Sequence, residues 1–300
     1  MTVDPLNGHT SPLPIPGYLL SGFNRQFTKA AVVTVDKSNS IGPSTLSVSP
    51  IEQSNRTAIW TFEGDQVTGG PAWDPTGSQI GLGLTITTNR GGQRSPKATS
   101  DGLWVIDVAS HHTRRLVAAQ VGQLAWSPNG QALAYVAGNE FGTTTGVQTV
   151  NLADGVTRSI AAFPNETRGS STDVRTLSWA PDGKTIVVAY RRDLLSSGGS
   201  GVDAYPSKGG PARVIMPFTS SMSYLGASYS PDGQAIAIAA LAFDHDPLPP
   251  STGSPTMTTS ATGPPPTITE NLQLVTPDGS QPRTLAAVDR QARLVGWYPG

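Results

Sequence analysis

The residues best suited to metal chemistry in this chain are the adjacent Asp244, His245 and Asp246. Carboxylate and imidazole side chains are common ligands of divalent metal ions. A metal site needs three or four converging ligands, however, and no second motif of this kind accompanies the cluster. The other histidine pair, His111 and His112, is expected in a surface turn. The sequence therefore predicts no metal site and no cofactor.

Residues for bond cleavage are equally sparse. Glycosidic hydrolysis needs one acid and one base flanking the scissile bond, but Asp65, Asp74 and Asp173 stand only at the ends of predicted strands. The segment from Gly198 to Gly201 lacks the spacing and the strand–helix context of a nucleophile elbow. A Walker-type phosphate loop is also missing. The sequence therefore favours a non-catalytic protein.

Charged and aromatic residues gather instead in four segments between predicted strands. Loops held on a rigid scaffold are the usual place for binding residues, and both charge signs mixed with aromatic rings suit a protein or glycan surface. Ordinary solvated loop tips are the alternative for any single residue. The candidate binding residues are Arg90, Arg94, Asn139, Phe141, Arg191, Arg192, Asp193, Phe243, Asp244 and His245.

A repeated sequence motif predicts the strands and turns that must position these residues. Five segments end in an aromatic residue, one further residue and a proline, and the prolines are Pro75, Pro128, Pro181, Pro231 and Pro299. The intervals between successive prolines are 53, 53, 50 and 68 residues. A period of this length indicates a repeated supersecondary unit.

Each repeat predicts a four-stranded unit. Proline followed by Asp, Asn or Thr and then Gly is typical of a tight turn between two strands. Apolar second strands follow the turns at Gln79–Thr88, Ala132–Ala137, Thr185–Tyr190 and Ala235–Leu241, and apolarity at nearly every position indicates that both faces are covered. A third strand and an arginine-initiated fourth strand complete each unit. Four antiparallel strands repeated around an axis form a β-propeller blade.

The two ends of the chain complete the count of blades. The last repeat offers one strand, Arg293–Trp297, and the N-terminal region offers three, Lys29–Val35, Ser44–Val48 and Arg56–Phe62. We therefore predict an all-β propeller of five four-stranded blades, in which the C-terminal strand completes the N-terminal blade and leaves no exposed sheet edge. A fragment of a larger propeller is the alternative.

Composition limits the possible partners and the domain plan. The net charge of −1 argues against nucleic acid, and no apolar run reaches the ~18 residues of a membrane span. The chain has no cysteine, and no signal peptide is visible. Residues 1–26 are predicted to be a Pro-rich tail or linker, and residues 27–300 a single propeller domain. Residues 247–269 are a low-complexity loop insertion within that domain.

The turn sequences SPDG and APDG after an aromatic residue, followed by strands such as TIVVAY and AIAIAA, resemble the WD40-like (PD40-type) propeller repeat of TolB-like proteins. The resemblance covers the chain from about residue 27 to Gly300. Proteins with this repeat include periplasmic TolB, propeller domains of peptidases, and bacterial sensor domains. The resemblance implies a scaffold that binds partners, and it is specific for blades rather than for an activity.

Two functions follow as expectations. The first is a non-catalytic module that recognises a protein or peptide through the long loops on one rim. The second is a carbohydrate-binding, lectin-like propeller or a glycan-processing one. Low charge with abundant Ser, Thr, Gly and Pro resembles exported bacterial domains, so an extracytoplasmic location is expected.

Overall fold

The computed structural model describes residues 2–3, 10–11, 21–35, 43–51, 55–63, 66–86, 99–139, 144–163, 171–193, 198–243, 268–287 and 297. Within these ranges every regular element is a β-strand. A short pair, β1 (Thr2–Val3) and β2 (Thr10–Ser11), stands apart from five antiparallel sheets of four strands each. No helix in the described part of the chain is long and apolar enough to cross a membrane.

The five sheets are the blades of a propeller, here numbered I to V in chain order. Blade I contains β3 to β6: Ser21–Phe23, Lys29–Val35, Pro43–Pro50 and Thr57–Glu63. Blade II contains β7 to β10: Gln66–Trp73, Gln79–Ile86, Thr99–Asp107 and Thr113–Val117. Blade III contains β11 to β14: Val121–Trp126, Ala132–Gly138, Thr144–Asn151 and Thr157–Ala162.

Blades IV and V have the same plan. Blade IV contains β15 to β18: Ser171–Trp179, Thr185–Asp193, Gly198–Pro206 and Arg213–Thr219. Blade V contains β19 to β22: Met222–Tyr229, Ile236–Phe243, Ile268–Val275 and Arg283–Ala287. In every blade the strands pair in chain order from the innermost to the outermost. The predicted five-bladed, four-stranded architecture is confirmed.

One detail of the predicted first blade is corrected. Its innermost strand is Ser21–Phe23, which pairs with Ala30–Val32 of β4, so the N-terminal region supplies all four strands. The C-terminal segment was predicted to fill this position. Ser21–Phe23 lies only a few residues before β4 and pairs with its inner edge. It belongs to the segment 1–26 that was predicted to be a tail. Residues 293–296 lie outside the described residues.

Apolar side chains from facing sheets form the core between neighbouring blades. Four clusters fill the junctions I–II, II–III, III–IV and IV–V. The second strands supply much of each cluster, because they are apolar on both faces and touch a neighbouring blade on each side. Ile186 and Val188 of β16 face blade III, while Val187 and Ala189 face blade V.

Indole hydrogen bonds join blades II, III and IV each to the blade before it. Trp73, Trp126 and Trp179 donate from Nε1 to the backbone carbonyl oxygens of Gly22, Ala72 and Ala125 in the preceding blade, at 3.1, 2.9 and 3.1 Å. Each acceptor comes one residue before the aromatic residue of its own repeat. Trp297 donates in the same way to the carbonyl oxygen of Ser228, at 3.3 Å. We call this series the tryptophan ladder.

Two glycines permit the close approach of the inner strands. A Cβ atom at Gly22 would overlap the carbonyl oxygen of Pro71 in blade II, and one at Gly69 would overlap the carbonyl oxygen of Gly122 in blade III. Only a residue without a side chain leaves room for backbone to pass backbone at this distance. The ladder therefore connects strands that already lie almost in contact.

The residue after the aromatic one ties the turn to the second strand. The carboxylate of Asp74 is buried, and its Oδ1 accepts from the backbone N–H groups of Ser78 and Gln79, each at 2.7 Å. Asn24 does the same in blade I, where its Oδ1 accepts from the N–H groups of Thr28 and Lys29 at 2.9 and 2.8 Å. Asp74, considered above as a possible acid, therefore has a structural role in its turn.

Asp74→Ala should lower the free energy of unfolding by about 2 kcal/mol, because it leaves two backbone N–H groups without their charged acceptor. Asp74→Asn should lose less than half as much, since Asn24 shows that an amide oxygen can occupy the position. Urea unfolding monitored by tryptophan fluorescence measures both. Equal losses for the two variants would contradict the assignment.

Candidate functional site

The structure places Arg191, Arg192 and Asp193 on a strand and not on a loop. They are the last residues of β16, and their partners in β17 are Ser200, Gly199 and Gly198. The sequence predicts a loop over residues 191–201, but residues 191–193 and 198–201 continue the ladder of backbone pairing. Phe243 likewise ends β20, where it pairs with Ile268.

Successive side chains of a strand point to opposite faces of the sheet, so Arg191 and Arg192 have different surroundings. Arg191 is exposed and forms an ion pair with Asp193, with Nη2 and Oδ1 2.8 Å apart and a hydrogen bond from Nε at 2.8 Å. Arg192 points to the other face, toward blade III. Its guanidinium carbon lies 5.1 Å from the centre of the Tyr190 ring and 5.7 Å from that of Phe163. Sequence reasoning treated the two arginines alike, although only Arg192 enters the junction between blades.

The two rings beneath Arg192 belong to a row of three aromatic rings. The ring centres of Phe163 and Tyr190 are 6.3 Å apart, and those of Tyr190 and Phe218 are 6.5 Å apart with the planes nearly parallel. Phe163 and Tyr190 are buried, whereas Phe218, on the outermost strand β18, is 43% exposed. We call Phe163, Tyr190, Arg192 and Phe218 the rim cluster.

Alternate glycines make room for these rings. Gly199 and Gly201 of β17 lie opposite Arg192 and Tyr190 in the sheet. A Cβ atom at Gly201 would come within 2.8 Å of the Tyr190 hydroxyl, and one at Gly199 within 2.7 Å of the Phe218 ring. A Gly-x-Gly pattern beside a Tyr-x-Arg pattern is the sequence signal that could have revealed the cluster.

A buried carboxylate lies next to the cluster. Asp203, on β17, is 8% exposed, and Tyr205 donates a hydrogen bond from its hydroxyl to Oδ2 at 3.4 Å. Tyr190 also hydrogen-bonds this carboxylate. Burial raises the pKa of Asp203, while the two hydroxyls and the charge of Arg192 act in the opposite direction. Burial also raises the pKa of Tyr190 to about 12.

Ser200 holds the same stretch of β17 against the next blade. Its hydroxyl donates to the carbonyl oxygen of Met222 at 2.8 Å and accepts from the N–H of Tyr224 at 2.9 Å. The side chain is almost completely buried. The strand that carries Asp203 is therefore fixed from the side of blade V while the rim cluster packs on the side of blade III.

Of the remaining predicted site residues, only Asn139 and the backbone of Phe243 lie within the described ranges. Asn139 follows β12 in blade III and is half-buried. His111 and His112 lie in the exposed turn between β9 and β10. Within the described ranges no group of three or more His, Asp or Glu side chains converges as a metal site would require. The predicted residues outside the described ranges are Arg90, Arg94, Phe141, Asp244 and His245.

The raised pKa of Asp203 predicts a pH dependence of stability. The folded state binds the Asp203 proton more tightly than the unfolded chain does, so the contribution of this residue to the free energy of unfolding falls as pH rises from 4 to 7. Asp203→Asn removes the titration and keeps an acceptor oxygen. The difference in free energy of unfolding, wild type minus variant, should therefore decrease between pH 4 and pH 7 in urea titrations.

Asp232 provides the control of opposite sign. Hydrogen bonds from Ser230 and Gln234 lower the pKa of this exposed carboxyl. The corresponding difference for Asp232→Asn should therefore decrease as pH is lowered below about 4, and it should change little between pH 4 and pH 7. A difference for Asp203→Asn that stays constant or increases would contradict the assigned direction.

Comparison with known proteins gives matches of fold and none of sequence. No family model matches the chain, and no curated protein matches it in sequence. Among solved structures, TolB from Acinetobacter baumannii superposes with a TM-score of 0.53 at 17% identity, over 87% of this chain and 52% of that one. The chain thus spans about half the length of that TolB.

Two further structures show that the fold occurs in proteins of different kinds. The β-propeller domain of the Trilobed protease from Pyrococcus furiosus has a TM-score of 0.50 at 14% identity, covering 90% of this chain and 72% of that one. Oligogalacturonate lyase from Vibrio parahaemolyticus has a TM-score of 0.53 at 11% identity, covering 89% and 64%. At such identities the likeness extends to the fold alone. The chain therefore has a TolB-like β-propeller fold.

Proposed function

We propose that this propeller is a non-catalytic binding module that recognises a protein or peptide at the edge of the III–IV junction. The observation that carries the proposal is the rim cluster, in which the exposed ring of Phe218 continues a buried aromatic row beside Arg192. Aromatic and arginine side chains are the residues most enriched among those that dominate protein–protein binding energy.

The rigidity of the cluster supports this role. Phe163 and Tyr190 are buried, and Arg192 rests on both rings, so little side-chain freedom remains to be lost on binding. Sites that are ordered before the partner arrives lose less conformational entropy when they bind. The resemblance to TolB-like propellers agrees with a scaffold role. Together with the composition of the chain, this resemblance also leads us to propose an extracytoplasmic location.

A random peptide library displayed on phage tests the proposal, because it samples many candidate partner sequences at once. Selection on the wild-type protein should enrich peptides whose affinity falls roughly tenfold or more for Arg191→Ala/Arg192→Ala, since a central anchor is worth about 2 kcal/mol. The variant should remain folded, because the loss of the cation–π contacts of Arg192 costs about 1 kcal/mol. Calorimetric titration and thermal unfolding measure the two effects.

The matched control removes two positive charges from the opposite rim. Arg114 and Lys184 are exposed and lie beside the turns of blades II and IV. Arg114→Ala/Lys184→Ala should bind the selected peptides like the wild type. Failure to enrich any peptide, or equal losses for the two double variants, would remove the proposal.

A carbohydrate ligand is the second candidate, and the exposed ring of Phe218 favours it, because sugars stack on exposed aromatic faces. The neighbouring carboxylate of Asp203 is buried and hydrogen-bonded by Tyr190 and Tyr205. The Phe218 ring would therefore be the main element that recognises a sugar. A glycan array should then give hits that disappear with Phe218→Ala. An array without hits would eliminate this candidate.

A further inference from the structure

Two ion pairs lie near the III–IV rim among the described residues, and Arg192 takes part in neither. Arg175 forms an ion pair with Asp173 at 3.1 Å, and Arg191 forms one with Asp193 at 2.8 Å. Among the described residues, no carboxylate lies within 4 Å of the Arg192 guanidinium. Asp203 is close enough to interact with it through space, but the hydrogen bonds of that carboxylate come from Tyr190 and Tyr205.

Arg192 is nevertheless held in place. Its guanidinium rests on Phe163 and Tyr190, and its Nε atom is buried with no hydrogen-bond partner in the described part of the chain. A buried N–H group normally has an acceptor. Packing on the rings therefore orients this cation, and the side chains of the described residues do not use up its donors.

We propose that Arg192 anchors a carboxylate side chain of the partner, so that the module recognises an acidic peptide; this inference rests on the proposed function. Because Nε is enclosed, the donors available to a ligand are on the two terminal nitrogens. These form a planar pair that matches the two oxygens of a carboxylate. The ring of Phe218 beside it provides an apolar surface for a neighbouring side chain of the same peptide.

The charge balance favours a carboxylate over a phosphate. Sites for phosphate groups, which carry nearly two negative charges, usually gather several cations. Here a single cation, without an ion pair among the described residues, has the buried carboxylate of Asp203 behind it, which partly offsets its charge. A ligand with a single negative charge therefore matches this site better.

The Nε–H group of Arg192 provides a direct probe of this proposal. Its enclosure slows exchange with water, so in the ¹⁵N-labelled full chain it should give an arginine side-chain NMR signal that disappears in Arg192→Lys. The peptide Ac-Ala-Leu-Glu-Leu-Ala-NH₂, titrated to millimolar concentration, should shift this signal. The same peptide with Gln in place of Glu should bind roughly tenfold or more weakly, because the charge-assisted pair is lost.

Two variants separate anchoring from general charge effects. Arg114→Ala removes an exposed cation from the opposite rim and should leave the response to the Glu peptide unchanged. In calorimetric titrations, which do not depend on the Arg192 signal, Arg192→Gln should abolish the preference for the Glu over the Gln peptide while the protein remains folded by circular dichroism. Equal shifts with the Glu and Gln peptides, or no shift with either, would overturn the carboxylate anchor.

Galacturonate and galactose identify the source of the carboxylate. If galacturonate shifts the Arg192 signal more strongly than the Glu peptide does, while uncharged galactose does not, the site reads a sugar acid and the acidic-peptide proposal is wrong. The peptides selected on phage distinguish this failure from that of the proposed function. Selected peptides that depend on the rim but carry no acidic residue would leave the binding module in place and remove only the carboxylate anchor.

Discussion

The structure depends on how closely the innermost strands of neighbouring blades approach one another. At Gly22 and Gly69 the backbones pass with no room for a Cβ atom, and the tryptophan ladder joins the same strands by one hydrogen bond per junction. An indole ring is large enough to fill the gap between two sheets, and its single N–H reaches the carbonyl oxygen of the preceding blade. The spacing and the register of the blades follow from this contact.

Junction IV–V shows what happens where the indole is missing. Tyr229 occupies the aromatic position of blade V, and the hydroxyls of Thr176 and Ser178 take over the link between the inner strands. Ser178 accepts from the backbone N–H of Tyr229 at 3.2 Å, and Thr176 accepts from that of Ala227 at 2.8 Å. The geometry is therefore kept by hydrogen bonds to the backbone even where the side chain changes.

The rim cluster is a product of the III–IV junction. Phe163 follows the outermost strand of blade III, whereas Tyr190 and Arg192 stand on the second strand of blade IV. Arg192 touches rings from both blades, so its orientation depends on their relative position. A side-chain cluster that spans two packed blades is positioned more precisely than one built on a single loop.

The repeat made the blades predictable because proline turns, aromatic positions and apolar second strands are local signals. The first strand of blade I was not predicted, since Ser21–Phe23 is only three residues long and its repeat lacks the proline. The sequence predicts Arg191, Arg192 and Asp193 as rim residues in a loop, whereas the structure extends strand β16 through all three of them. Asp203 and Phe163 could not be found from sequence, since only the packing of two blades brings them beside Arg192.

The most direct test of the account compares the loss of the indole N–H at two junctions. Trp179→Phe removes the hydrogen bond that joins blade IV to blade III, whereas Trp126→Phe removes its counterpart between blades III and II. The measurement is hydrogen exchange of the Arg192 Nε–H by NMR. If the junction holds Arg192, exchange should accelerate roughly fivefold in Trp179→Phe, as expected for the loss of about 1 kcal/mol, and change little in Trp126→Phe. Equal exchange rates in both variants would contradict the claim that the junction between blades III and IV positions the site.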